Sequence, residues 1–343
     1  MKKTLIFIIV PMLFLMTGCM PESTQNTSAV KAVAFDAAEG GIKLTALMLN
    51  PGGEKPYITV STEGRNMREL VSGLNDVTEK KPFFTQCEVM VFSRELAKKG
   101  VGGILEWFTS SEGRKEALCI VSEGTAEDVF SYTEGLFKVP SSDISRMIKN
   151  SHKNGSGICI TAQEANAAKN SFSKTSLVPI CTLGGEDGEK SLQITGAGIL
   201  KDGAFTGSLS KNELMGVKII LSSEAGYTSD SLPVKLTYCR TQKRAFNNEL
   251  QYSVTAAYMP ETGSTVFDDT EKELALHIKK CVLLAADRAK KDGDFLGILA
   301  NVPSFSKKYS DADRALEEIN ITADVTVKMS EGLLSLRGNE KNE

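Results

Sequence analysis

Ile319-Asn320-Ile321-Thr322-Ala323-Asp324-Val325-Thr326-Val327-Lys328-Met329 is the most regular run in the chain. Apolar and polar residues alternate throughout. A period of two sends one set of side chains to a buried sheet face and the other to solvent, so the run predicts a strand. Ahead of it, Asp268–Lys291 predicts the longest helix. Leu274, Ile278, Cys281, Val282, Ala285 and Ala289 share one apolar stripe. Asp268, Asp269 and Glu271 lie near the helix start and Lys290-Lys291 near its end, each complementing the helix dipole. Strands over about Pro233–Arg244 and Glu249–Tyr258 precede the helix and meet at Asn247-Asn248. A long helix and a last amphipathic strand, after several meandering strands, read as α+β.

Working outward, Leu192–Leu200 and Ala204–Leu209 flank Lys201-Asp202-Gly203. An Asp-Gly between two apolar runs predicts a hairpin. Ser210 to Glu213 has the spacing of a capping box, and Val217–Leu221 reads as a strand. Nearer the N-terminus, strands are predicted over Val30–Phe35, Ile42–Leu49, Tyr57–Ser61, Cys87–Phe92, Ala117–Ser122 and Leu177–Leu183. Helices alternate with them. Arg65–Glu79 carries Met67, Leu70, Val71, Leu74 and Val77 on one face. Ser93 caps a short helix that stops at Gly100, and Ile104–Phe108 forms helical turns. Thr125 caps another helix, and two more lie between Ser141 and Ser176. Such alternation predicts a sheet with helices packed on it. The expected organisation is multi-domain, with mixed sheets and packed helices: an N-terminal α/β region over 30–190, a C-terminal α+β region over 191–337 that can hold two subdomains, and a tail over 338–343.

The first residues have a different character. Lys2-Lys3 precede an apolar run from Leu5 to Met16, broken only by Pro11. That is shorter than the roughly 20 apolar residues of a membrane span and has the build of a signal peptide over 1–18. It ends in Met16-Thr17-Gly18-Cys19. Small residues directly before a cysteine, behind an apolar stretch, match bacterial lipoprotein processing, although Met16 stands where Leu is more usual. The Cys19 thiol would take a diacylglyceryl group and become the new N-terminus. Two or more acyl chains, at about 0.8 kcal/mol per buried CH₂, would hold the body on the bilayer. Residues 19–29 are small and polar and read as a lipidated flexible spacer.

Composition limits function. The 343 residues are 41% hydrophobic and 24% charged, and the net charge is −3. With no Lys/Arg cluster, nucleic acid is not an expected partner. Apart from Cys19, six cysteines remain: Cys87, Cys119, Cys159, Cys181, Cys239 and Cys281. Their apolar neighbours suit buried free thiols rather than a disulfide framework, and without C-x-x-C there is no zinc or redox motif. His152 and His277, the two histidines, sit in no metalloprotease or deaminase pattern. Gly196-Ala197-Gly198 is followed by Lys201 and a hairpin, so the dinucleotide fingerprint fails. Asp268, Asp269 and Glu271 suit a solvated helix start better than a cation site. Trp107, the single tryptophan, reads as core. No catalytic, cofactor-binding or metal residue is expected, and Cys19 is the one functional position.

The order of segments resembles the Ger(x)C lipoproteins, the C-subunits of spore germinant receptors. One stretch runs from Ser61-Thr62-Glu63-Gly64 through Leu70, Leu74, Phe83-Phe84 and Val89-Met90-Val91-Phe92 to Glu95-Leu96-Ala97-Lys98-Lys99-Gly100. Ile104–Phe108 and Glu123–Val129 continue it. A second comprises Leu192–Gly203, Gly207–Ser210 and Glu213-Leu214-Met215-Gly216. A third is Asp294-Phe295-Leu296-Gly297 with Tyr309 and the final strand. Departures are the Met20-Pro21-Glu22 that follows Cys19, where the family usually has Trp-Asp, a cysteine at Cys87 where His is common, and Pro303 in the last helical region. The resemblance implies an uncommon multi-domain α+β fold and a non-enzymatic role in nutrient-triggered germination. It implies two polytopic partners, the A- and B-type receptor subunits, and a place on the outer face of the spore inner membrane, held there by the Cys19 lipid. The competing readings are a solute-binding lipoprotein of a transporter, which should show two repeated α/β lobes, and an exported enzyme.

Cys19→Ala is expected to block processing and release the body from membranes. Fractionation with mass spectrometry of the N-terminus checks this. A variant that remains cleaved, acylated and membrane-bound would exclude the lipid reading.

Overall fold

The computed structural model of the chain describes residues 26–133, 137–184, 191–221, 234–260, 269–302, 308–309 and 311–330. Cys19 and the leader lie outside them. The fold begins with β1 (Thr27–Ala38) and β2 (Gly41–Leu49), an antiparallel pair turning through Gly40 at φ +83°. Strand β3 (Tyr57–Gly64) adds antiparallel to β2. On its other side β1 pairs in parallel with β5 (Val89–Ser93), and its first residues also pair with β4 (Lys81–Phe83). Then come β6 (Leu118–Ser122) and β7 (Thr175–Gly184), both parallel, and β8 (Ser191–Lys201) and β9 (Ala204–Ser208), both antiparallel. The result is one nine-stranded mixed sheet in the order β3-β2-β1-β5-β6-β7-β8-β9, with β4 beside β1.

Every residue of β5 and β6 is buried. Parallel strands need crossover connections, and these cover both faces with helices. On one face α1 (Met67–Val77), α2 (Arg94–Lys99), α3 (Gly102–Phe108) and a helix further along the chain (Ala162–Lys169) pack on Phe35, Met90, Phe92, Cys119 and Val121. Trp107 packs against this core, with its ring centroid 5.0 Å from that of Phe84. On the other face α4 (Glu127–Thr133) and α5 (Pro140–Lys153) bring Val129, Ile144 and Ile148 to Ala34, Val89, Val91 and Ile120. The helix Ala162–Lys169, α6, opens on a capping box formed by Thr161 and Glu164. Asn66 and Ser93 cap α1 and α2 as their residue types favour. At α4, Thr125 donates to the Asp128 carboxylate. The free N–H groups of Ala126 and Glu127 donate instead to Asp36 of β1, at 2.7 and 2.9 Å. A strand residue thus anchors the helix that crosses it.

The boundary expected at residue 190 falls between β7 and β8, which are antiparallel neighbours in one sheet that continues through Ser208. Val217–Leu221, expected as a strand, forms the last turns of α7 (Lys211–Leu221). The capping box at Ser210 starts the helix and nothing stops it before Leu221. Buried residues at Leu214, Gly216, Val217, Lys218, Ile219 and Ile220 leave little amphipathic contrast, and a short apolar run shows no distinguishing period.

The C-terminal part builds a second sheet in the order β10-β11-β12. Strands β10 (Val234–Phe246) and β11 (Glu249–Pro260) form a long hairpin turning at Asn247, φ +52°. Strand β12 (Asn320–Met329) runs parallel to β11, with Val254 opposite Val325. Parallel neighbours need a long connection, supplied by α8 (Thr270–Asp292) and the short helices α9 (Ile298–Asn301) and α10 (Ala312–Glu317). Leu274, Ile278, Val282, Ala285 and Ala289 of α8 share a core with Leu236, Tyr252, Val254, Ala323 and Val327. Ala197 and Ile199 of β8 enter the same core, so the two sheets are joined by packing.

Helix α7 crosses α8 closely. A Cβ added at Gly216 would lie 2.0 Å from the Cys281 carbonyl oxygen and 2.8 Å from Ala285 Cβ. Gly216→Ala is therefore expected to lower stability by about 1–3 kcal/mol through overpacking. Gly124→Ala, where an added Cβ meets nothing within 4 Å, should leave it unchanged. Urea unfolding of both variants checks the pair.

Candidate functional site

Four separated pieces of chain surround an open cleft of about 1100 Å³. They are the loop after α5 at Asn154–Ser156, the outer part of β8 at Gln193–Gly196, the start of α7 from Leu209 to Met215, and His277 on α8. The rim is polar and mostly uncharged, and Leu209, Leu214 and Met215 supply apolar surface. At the start of α7, Ser210 N–H donates to the Glu213 carboxylate at 2.7 Å, and Glu213 N–H donates to Ser210 Oγ at 3.3 Å. The Lys201-Asp202-Gly203 turn takes φ +51° at Asp202 and +76° at Gly203, the hairpin geometry its sequence favours.

The two histidines have different settings. His152 lies in the last turn of α5. Its Nδ1 is 2.9 Å from Nζ of Lys218, and the same Nζ donates to its backbone carbonyl at 2.7 Å. Lys218 is only 3% exposed, so α7 is fastened to the C-terminal end of α5 by a buried cation at a helix terminus that favours positive charge. Nothing local in the sequence signals this contact, since the partners are 66 residues apart. His277 faces the cleft, and its Nε2 lies 3.7 Å from Cys281 Sγ. Burial pushes the Cys281 thiol up to about 11. A nucleophilic cysteine needs the opposite shift, so this pair is not set up for covalent catalysis.

Other singled-out residues are structural. Gly196-Ala197-Gly198 lies within β8, and a Cβ at Gly198 would meet the Phe205 ring at 2.2 Å. Asp294 is buried, and its carboxylate accepts from Ile298 N–H at 2.6 Å and Leu299 N–H at 2.8 Å. Desolvation raises its pKa, against those backbone hydrogen bonds. Gly297 at φ +67° completes the turn into α9. Of the acids at the start of α8, Asp269 pairs with Lys272 at 3.2 Å and Glu271 accepts from Met329 N–H at 3.2 Å. Asp268 lies outside the described residues. Among the described residues, no group of three or more His, Cys, Asp or Glu is placed to hold a metal, and no helix is long and apolar enough to cross a membrane.

A mixed nine-stranded sheet joined through a shared core to a three-stranded sheet defines an α+β protein of unusual topology. Residues 22–183 match the family described as spore germination protein N-terminal domain. That domain is the one expected at the N-terminus of the Ger(x)C lipoproteins that the ordered segments resemble. A crystal structure of the GerBC protein has the same fold, with a TM-score of 0.51 at 15% identity. The match covers 87% of this chain and 97% of that one. No curated protein matches the chain.

Cys87, Cys119, Cys159, Cys181, Cys239 and Cys281 are free thiols, and all but Cys159 are buried. Burial raises Cys87, Cys181 and Cys239 to about 12 and lifts Cys119 as well. At pH 8 alkylation of the native protein is expected to reach Cys159 at most, with all six reacting after denaturation. Peptide mass spectrometry reads this out. Native labelling of Cys87 or Cys119 at the rate of a free cysteine would contradict the burial.

Proposed function

We propose that the chain is the lipid-anchored, non-enzymatic C-subunit of a spore germinant receptor. It would sit on the outer face of the spore inner membrane, held through Cys19, and support receptor assembly or signalling. Its partners are the polytopic A- and B-type subunits. The observation that carries this reading is the family match over residues 22–183, within a fold shared with the GerBC protein along nearly the whole chain. The chemistry of the cleft agrees with it. The thiol beside His277 is held protonated, Asp269, Glu271 and Asp294 are engaged in an ion pair and in backbone hydrogen bonds, and the surface offered is a cleft between β8, α7, α8 and the loop after α5. A solute-binding lipoprotein would present two repeated α/β lobes. Here the second sheet has three strands and one long helix, unlike the first.

In a strain where this receptor operates alone, deleting the gene is expected to abolish germination with its nutrient class. Re-expression of the intact chain should restore the response, and Cys19→Ala should restore it poorly. Spores are assayed across amino acids, sugars and nucleosides. An unchanged response to every nutrient, together with loss of uptake of one solute, would replace the receptor reading with the transporter reading.

A further inference from the structure

At and just beneath the cleft wall, three side chains able to bind a metal lie side by side. Cys281 Sγ is 3.7 Å from His277 Nε2 and 3.8 Å from Met215 Sδ. We propose that Cys281, His277 and Met215 form a binding site for one copper(I) ion at the crossing of α7 and α8.

Geometry supports the assignment first. Metal–sulfur bonds of about 2.3 Å and metal–nitrogen bonds of about 2.0 Å, spread in a plane around one centre, put two sulfurs about 4.0 Å apart and a sulfur and a nitrogen about 3.7 Å apart. The two separations that Cys281 makes match within about 0.2 Å. A metal bound to Cys281 can therefore reach either neighbour with little change in these two separations. His277 and Cys281 stand four residues apart on α8 and so share one helix face. Met215 is delivered by α7 beside Gly216, whose missing side chain lets that helix reach the Cys281 backbone.

Donor chemistry selects the ion. Thiolate and thioether sulfur prefer copper(I), whereas calcium and magnesium want oxygen. Charge points the same way. A thiolate and a monovalent cation cancel, so the loaded site is neutral, and a neutral site is far cheaper to bury than a charged one. A divalent zinc ion on the same three donors would leave a net positive charge among apolar side chains. Access is present too, since Met215 and His277 line the open cleft while Cys281 lies buried behind them.

Binding exchanges one proton for one metal ion. The Cys281 S–H bond breaks, its proton leaves to solvent, and a sulfur–copper bond forms. Copper enters and remains as copper(I), so no oxidant or reductant takes part.

The test titrates the full-length chain in detergent, without oxygen, with copper(I) in competition with bicinchoninate. X-ray absorption of the loaded protein reads the donors. One equivalent is expected, with two sulfurs near 2.3 Å and one nitrogen near 2.0 Å. Cys281→Ser should weaken binding at least 100-fold, and His277→Gln and Met215→Leu about tenfold or more. Cys159→Ser, which removes the most accessible of the six thiols, should change nothing. Met215→Leu conserves volume and keeps the fold, so it decides the matter if Cys281→Ser unfolds. The site is overturned if bicinchoninate strips all the copper at equal concentrations. It is equally overturned if tight binding persists unchanged in both Met215→Leu and Cys281→Ser.

Discussion

Strand β1 can lie only in the interior of its sheet. Ala32, Val33, Ala34 and Phe35 are all fully buried, so both faces of the strand must be covered. Its two edges must also be paired, because buried N–H and C=O groups cannot be left without partners. An antiparallel hairpin, β1–β2, satisfies one edge. The other edge takes β5 in parallel, and parallel pairing brings in the crossover segments that carry α1 through α5 to the two faces. The layered arrangement of the first core follows from that one requirement. Asp36, near the end of the same strand, then holds the start of α4 through two backbone hydrogen bonds.

The second core repeats the logic with fewer pieces. Strand β12 pairs in parallel with β11, so α8 must cross over the sheet, and its long apolar stripe fills the space. A three-stranded sheet with one helix leaves the opposite side of α8 uncovered. Helix α7 covers it, closing onto α8 at Gly216 and onto α5 through Lys218 and His152. That helix is therefore the joint between the two cores. The cleft lies at its N-terminal end because the loop after α5, strand β8 and helix α8 all converge there.

Much of this was legible in the sequence because the signals were local. The alternation from Ile319 to Met329, the stripe on Asp268–Lys291, the Asp202-Gly203 turn and the cap at Ser93 each depend on residues close together in the chain. Their structural counterparts appear within a few residues of the expected limits. What escaped was non-local. Val217–Leu221 is helical because of what surrounds it on several sides. The direction of β12 relative to β11 depends on which edge α8 leaves open. The cleft draws on segments more than a hundred residues apart. The Cys281–His277 pair could have been suspected from its four-residue spacing on a helix, but Met215 could not.

The match to the spore germination protein N-terminal domain and the fold shared with GerBC bear on the same architecture. On the receptor reading proposed above, the Cys19 lipid would keep the body against the bilayer in which polytopic partners would reside. Affinity purification of a tagged chain from gently solubilised spore inner membranes examines this most directly. The expected result is recovery of two polytopic membrane proteins with it, in a fixed ratio that survives washing. Recovery of the chain alone, or with the permease and ATPase subunits of a transporter, would contradict it.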